Sequence, residues 1–129
     1  MLGQALSNPV LRTVFETSHF KPAQLDSLLV KDYARRNDIK IKEVLHLKDA
    51  PASLGSMERS ALQAESVVEK SVGTLVLALS LGLVDYSVVD LIPRIAKVVE
   101  ESKLRPLDDV EADRLLDLVK AIIKRSSRK

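Results

Sequence analysis

The sequence predicts an all-α fold: a single helical domain with a long buried central helix and two to three C-terminal amphipathic helices. Three observations carry that reading. Apolar residues recur at i, i+3, i+4 spacing, the mark of one buried helix face, as in Leu25, Leu28, Leu29 and Tyr33 and again in Leu115, Leu116, Val119, Ile122 and Ile123. Aromatics are only 3% of the 129 residues, so the core must be Leu, Val, Ile and Ala, which suits packed helices. Proline, serine, asparagine or aspartate stands near the start of most periodic stretches, where helices are capped.

The elements follow in order. Asn8 is a candidate N-cap with Pro9 at the first helical position, and Val10, Val14 and Phe15 give a short apolar stripe with Leu11 beside it. A second helix starts at Pro22, buries the face of Leu25, Leu28, Leu29 and Tyr33, and is closed by Asn37 and Asp38. The stretch from Lys40 to Lys48 fits either alternation or helical spacing; its shortness and its helical neighbours favour a helix. Pro51 then disfavours helix at Ala50. A long helix is expected from about Leu54 or Ser56 to about Leu81, buried on every side after Ser71 and stopped by Gly82. A further helix starts near Asp85 and is bent or split by Pro93. The last one opens on Asp108 with Glu111 three residues on, an acidic variant of the capping box. Within one domain over residues 1–129, residues 21–70 and residues 85–126 form distinct parts, the latter suited to dimerisation or partner binding.

Composition narrows the function classes. There is no Cys, which excludes disulfides and cysteine zinc sites and fits a reducing cytoplasm. The near absence of aromatic rings argues against a base-stacking sheet platform. The start "MLGQALSNPV" has no basic region followed by an apolar run, so no signal peptide is expected. The apolar run Val72–Val84 is thirteen residues, short of the roughly twenty a membrane span needs. Net charge is only +2, but its distribution is uneven. Lys21–Lys48 holds seven basic and four acidic residues, Ser71–Val119 five and nine, and the last ten residues five and none. A basic front half and tail suit phosphates or are simply solvated faces.

No catalytic site is visible. Walker, Rossmann and GxSxG patterns are absent, so neither an enzyme nor a bound cofactor is expected. His19 and His46 lie far apart in no ligand spacing and read as surface or helix-end residues. The neighbours Glu100–Glu101 and Asp108–Asp109 point to different sides of a helix and make no acid/base pair.

One stretch invites a DNA-binding reading. "IKEVLHLKDAPASLGSMERSALQ" can be divided as a first helix over Ile41–Leu47, a turn over Asp49–Ser53, and a recognition helix from Ser53 to about Glu69. Ser53 and Ser56 would donate to phosphates, together with the open N–H groups of the first turn. Arg59 would reach a guanine edge or a phosphate, with Gln63 one turn on. Lys40, Lys42 and Lys48 are placed for backbone contacts. As structure alone, the serines are helix caps and Arg59 an exposed solubilising residue.

This stretch resembles a group of short archaeal helix-turn-helix proteins. Their turn reads roughly Ser-x-Gly-Ser-aromatic-x-Arg-Thr, and their helix runs into an apolar segment ending in Leu-Gly-Leu. Ser53, Gly55, Ser56, Arg59 and Ser60 match, as do Leu81, Gly82 and Leu83, within a resemblance over about residues 25–85. It implies a dimeric, transcription-regulator-like or chromatin-associated protein that binds double-stranded DNA, with Met57 and Ser60 joining the contact residues. The departures are Met57 and Glu58 at the aromatic pair, and Glu65 and Glu69 where the family carries arginines. Acids on a recognition helix are repelled by phosphates unless they point away. The other reading is therefore a helical adaptor or subunit on the same scaffold, binding protein partners or a second copy through residues 86–126.

Overall fold

Proline, asparagine and aspartate set most helix boundaries. The computed structural model describes residues 1–105 and 108–126; the basic tail at 127–129 and the burial of Ile122 and Ile123 lie outside the described part. Among the described residues the chain is helical, with no strand. It carries α1 (Leu2–Ala5), α2 (Pro9–Glu16), α3 (Pro22–Arg36), two 3-10 turns (Ile41–Glu43 and Leu45–Leu47), α4 (Leu54–Ser80), α5 (Tyr86–Val89), α6 (Leu91–Leu104) and α7 (Asp109–Ser126). The chain divides into two compact units, Met1–Leu6 with Ser18–Ser71, and Ser7–Thr17 with Val72–Lys129.

The first unit is built on α3. Pro22 stands at its first turn after an extended Lys21, where a missing N–H costs nothing. Its C-terminus is a Schellman turn: Asp38 takes a positive φ of 53°, Ile39 N–H reaches Ala34 O at 2.9 Å, and Asp38 N–H reaches Arg35 O at 3.3 Å. The buried face is Asp26, Ser27, Val30 and Ala34, not the expected one. Leu25, Leu28 and Leu29 are half-buried and Tyr33 is exposed. The spacing was right but its phase was not, because a fully hydrogen-bonded aspartate is buried on this face.

The expected helix at 40–48 is instead the pair of 3-10 turns. Its bonds run i to i+3, from Glu43 N–H to Lys40 O and from Leu47 N–H to Val44 O, each 2.9 Å. A period of three stacks Ile41, Val44 and Leu47 along one side, which suits the core of Val30, Ala34, Val44 and Met57 that they pack against. The first part of α4 supplies Met57 to that core, and Ala61 and Ala64 are buried on the same helix.

The second unit packs Val10 of α2, Val99 of α6 and Val119 of α7 together, with Leu11, Val14, Ile95, Leu115 and Leu116 around them. Asn8 caps α2 as expected: its Oδ1 accepts from Val10 N–H at 2.9 Å and Leu11 N–H at 3.4 Å. Its Nδ2 donates to Ser102 Oγ on α6 at 3.0 Å, so the cap is also a tertiary tie. Asp108 Oδ1 accepts Glu111 N–H at 2.7 Å. The helix expected from Asp85 splits at Asp90, which puts Pro93 in the first turn of α6, where no intrahelical N–H is lost.

The end of α4 corrects the central-helix expectation. Gly82 stops it with φ 71° in a second Schellman turn, Leu83 N–H reaching Ala78 O at 2.9 Å. Yet the segment after Ser71 is not buried. Val72 is 57% exposed, Val76 56%, Leu77 59% and Leu81 63%. Continuous apolarity marks a helix without a polar face; it does not supply the neighbours that would cover it. Among the described residues, no helix is long and apolar enough to cross a membrane.

Candidate functional site

The residues expected to meet DNA lie in the first unit, and the structure sorts them. Ser53 is the N-cap of α4, its Oγ accepting Ser56 N–H at 3.1 Å. That satisfies one of the open donors a phosphate would otherwise meet. Ser56 and Arg59 are exposed, and Ser60 is half-buried. Met57 is fully buried and belongs to the core, so it cannot serve as a surface contact. Gln63 Oε1 accepts from Gln24 Nε2 on α3 at 3.0 Å, and beside it Lys31 Nζ meets Glu65 Oε1 at 3.0 Å. These two links pin α3 to α4.

Lys40 and Lys42 are exposed on the 3-10 turns, and neither they nor Arg59 makes an ion pair among the described residues. Lys48 is different. Its side chain is only 6% exposed, with Nζ 2.6 Å from Ser27 Oγ and 3.4 Å from Asp26 Oδ2. It is turned inward and unavailable to a phosphate. The exposed remainder is Lys40, Lys42, Ser53, Ser56, Arg59 and Gln63, accompanied by exposed Glu43 and Glu58. The first element of the expected helix-turn-helix is not an α-helix.

Asp26 is the polar centre of this unit. Its Oδ1 accepts Leu2 N–H at 2.9 Å and lies 3.3 Å from the Met1 ammonium; its Oδ2 accepts Asp49 N–H at 2.9 Å. The Met1 ammonium also donates to Leu47 O at 2.7 Å and Asp49 Oδ1 at 2.8 Å. Burial alone would push the Asp26 carboxyl up, but the Leu2 and Asp49 N–H groups and the ammonium outweigh it and hold the pKa below the usual carboxylate value. For the ammonium, burial works downward, and the bonds to Asp49 and Asp26 outweigh it and raise the pKa. These bonds tie Met1 and Leu2 to α3 and to Asp49, and the cluster works as a clasp.

Within residues 85–126, the part expected to serve dimerisation or partner binding, the second unit holds a groove that no sequence pattern locates. An open groove of about 630 Å³ runs between α6 and α7. Val98, Leu104, Leu115 and Leu118 form its apolar walls, with Glu101, Arg105, Glu111 and Arg114 among its lining. A small extension of about 90 Å³ carries it on to Leu91, Arg94 and Ile95. Leu104 is 84% exposed and Leu118 53%, so the described residues leave much of both side chains uncovered. Arg105 leans toward Glu111 at 3.5 Å, whereas Arg94 and Arg114 make no ion pair among the described residues. The amphipathic spacing of both helices was legible; the gap between them depends on how they pack.

Among the described residues, no group of three or more His, Asp or Glu side chains is placed to hold a metal ion, and His19 and His46 are both exposed. No family model, curated protein or solved structure matches this chain.

Proposed function

We propose that the chain is a helical partner-binding subunit whose α6–α7 groove receives an amphipathic helix of another protein, flanked by acidic residues. The observation that carries this is the groove itself: aliphatic walls left exposed, with Arg94 and Arg114 along it making no ion pair among the described residues. From Arg94 to Arg105 on α6 is roughly 16 Å of helix, about three turns of a docked segment. A small ligand is normally enclosed over most of its surface. An open apolar channel of this length suits i, i+3, i+4, i+7 anchors instead.

The test uses two labelled amphipathic peptides with the same leucine stripe, one flanked by glutamate and one by lysine. Fluorescence anisotropy should show the glutamate peptide binding more tightly. Leu118→Asp should abolish binding, and Arg94→Glu with Arg114→Glu should invert the preference. If neither peptide binds, or both bind Leu118→Asp as they bind wild type, the proposal fails.

DNA contact is the second reading, favoured by one specific feature. A Cβ added at Gly55 would meet nothing within 4 Å, so this glycine near the exposed start of α4 has no packing role in the chain. Close approach of a phosphate backbone would use it, with Arg59, Lys40 and Lys42 alongside. Three cations predict a modest log–log salt slope of about −2.7 for duplex DNA, falling by about 0.9 in Arg59→Ala. A slope unchanged by that substitution removes this reading.

A further inference from the structure

Resting on the reading of the α6–α7 groove as a seat for a helix, we infer that its resting occupant is α6 of a second copy of this chain, paired antiparallel across a two-fold axis and displaced when a partner helix arrives. The surface lies wholly within the second unit. Helix α6 brings Leu91, Arg94, Val98, Glu101 and Leu104 to the lining of the groove and its extension. Steps of three or four residues keep them along one side of the helix. All five lie within α6, from its first residue to its last.

Two observations choose this occupant. The first is the order of the stripe. It runs apolar, basic, apolar, acidic, apolar, so its reverse is its own complement. Laid antiparallel on a second α6, Leu91 meets Leu104 of the other copy, Arg94 meets Glu101, and Val98 falls at the axis. The axis makes the Arg94–Glu101 contact twice, as an isologous interface requires. Parallel pairing sets Arg94 on Arg94 and Glu101 on Glu101, which repel. The second observation is that both charges are open to such a contact. Arg94 and Glu101 are exposed, and neither side chain makes an ion pair among the described residues. The pair is a weak one. Its apolar contact rests on the uncovered parts of Val98, Leu104 and Leu118, and exposed Lys97 stands beside the axis facing its own image. Such an interface belongs with the exchanging ones that bury less than about 1,200 Å², and a better-fitting partner helix replaces it.

Sedimentation equilibrium of the full chain, from about 5 to 500 µM, tests this. Wild type should follow a monomer–dimer equilibrium with a Kd on the order of tens of micromolar. Arg94→Glu sets acid on acid and Glu101→Arg sets base on base, so each alone should weaken self-association about tenfold or more. Mixed one to one, the two variants should form a heterodimer, because each contact then joins opposite charges. Both positions are exposed, so circular dichroism of each variant should match wild type. The glutamate-flanked peptide should dissociate the wild-type dimer. A wild-type monomer at about 500 µM overturns the inference; if that monomer still binds the peptide, the helix-docking reading of the groove stands without it. A dimer that both single variants form as wild type does is held by another surface and overturns the inference too, as does a mixture that stays monomeric. Heterodimer formation in a chain that binds no peptide sustains the self-pairing and removes the partner-helix reading.

Discussion

Asp26 shows at the residue scale why a charged side chain stands where an aliphatic one was expected. Its two oxygens receive two backbone N–H groups and face the Met1 ammonium and Lys48 Nζ. Burial without those partners would cost several kcal/mol. Asp26→Asn keeps the shape, removes the charge and leaves Lys48 buried without an anion. It should lower unfolding free energy by about 3 kcal/mol in urea titration. The pH dependence has two flanks. The Asp26 carboxyl is held below its ordinary 3.8, so its contribution is present above that value and is lost as pH falls through the depressed one. The ammonium is raised above its ordinary 8.0, so its contribution is complete below pH 8.0 and is lost as pH rises through the raised value. Thermal unfolding should therefore weaken on both the acid and the alkaline side, and Asp26→Asn should flatten both arms. An unchanged alkaline arm would contradict the clasp.

At the scale of elements, helix ends were more legible than helix faces. Asn8, Pro9, Pro22, Asn37, Gly82 and Asp108 act locally, through caps and turns that neighbouring residues determine. The faces depend on what arrives from elsewhere. Leu25, Leu28 and Leu29 were expected inside and are half-buried, since Asp26, Val30 and Ala34 took the core side. The 40–48 stretch was read with a helical period, and a three-residue period won because it buries Val44. The two Schellman turns give a matched prediction. Asp38 holds a positive φ without being glycine, so Asp38→Gly should stabilise the chain by about 0.5–1 kcal/mol. Gly82→Ala should cost about 1 kcal/mol for the same reason. Differential scanning calorimetry reads both; equal signs would show that φ is not the governing factor.

For the whole molecule, the all-helical class follows from composition and periodicity, but the division of the chain into two units does not. Each unit joins an N-terminal piece to a distant one, Val10 to Val99 and Val119, and Leu2 to Asp26 and through it to Asp49. No local pattern announces such pairings. The DNA-facing set was drawn from spacing and from the resemblance; Met57 belongs to the core and Lys48 to Asp26, while Gln63 stays exposed with a hydrogen bond from Gln24. The apolar surfaces on α4 and between α6 and α7 were visible as hydrophobic residues, and only the tertiary arrangement leaves them uncovered.

The proposed docking of a partner helix in the α6–α7 groove can be read residue by residue. The most direct measurement is a pair of amide chemical-shift titrations on the full chain, one with the glutamate-flanked amphipathic peptide and one with duplex DNA. The peptide should shift resonances of Arg94 to Arg105 and Glu111 to Val119 and leave Lys40 to Arg59 in place. The docking is contradicted if the peptide shifts nothing along α6 and α7 while DNA shifts Lys40, Ser56 and Arg59.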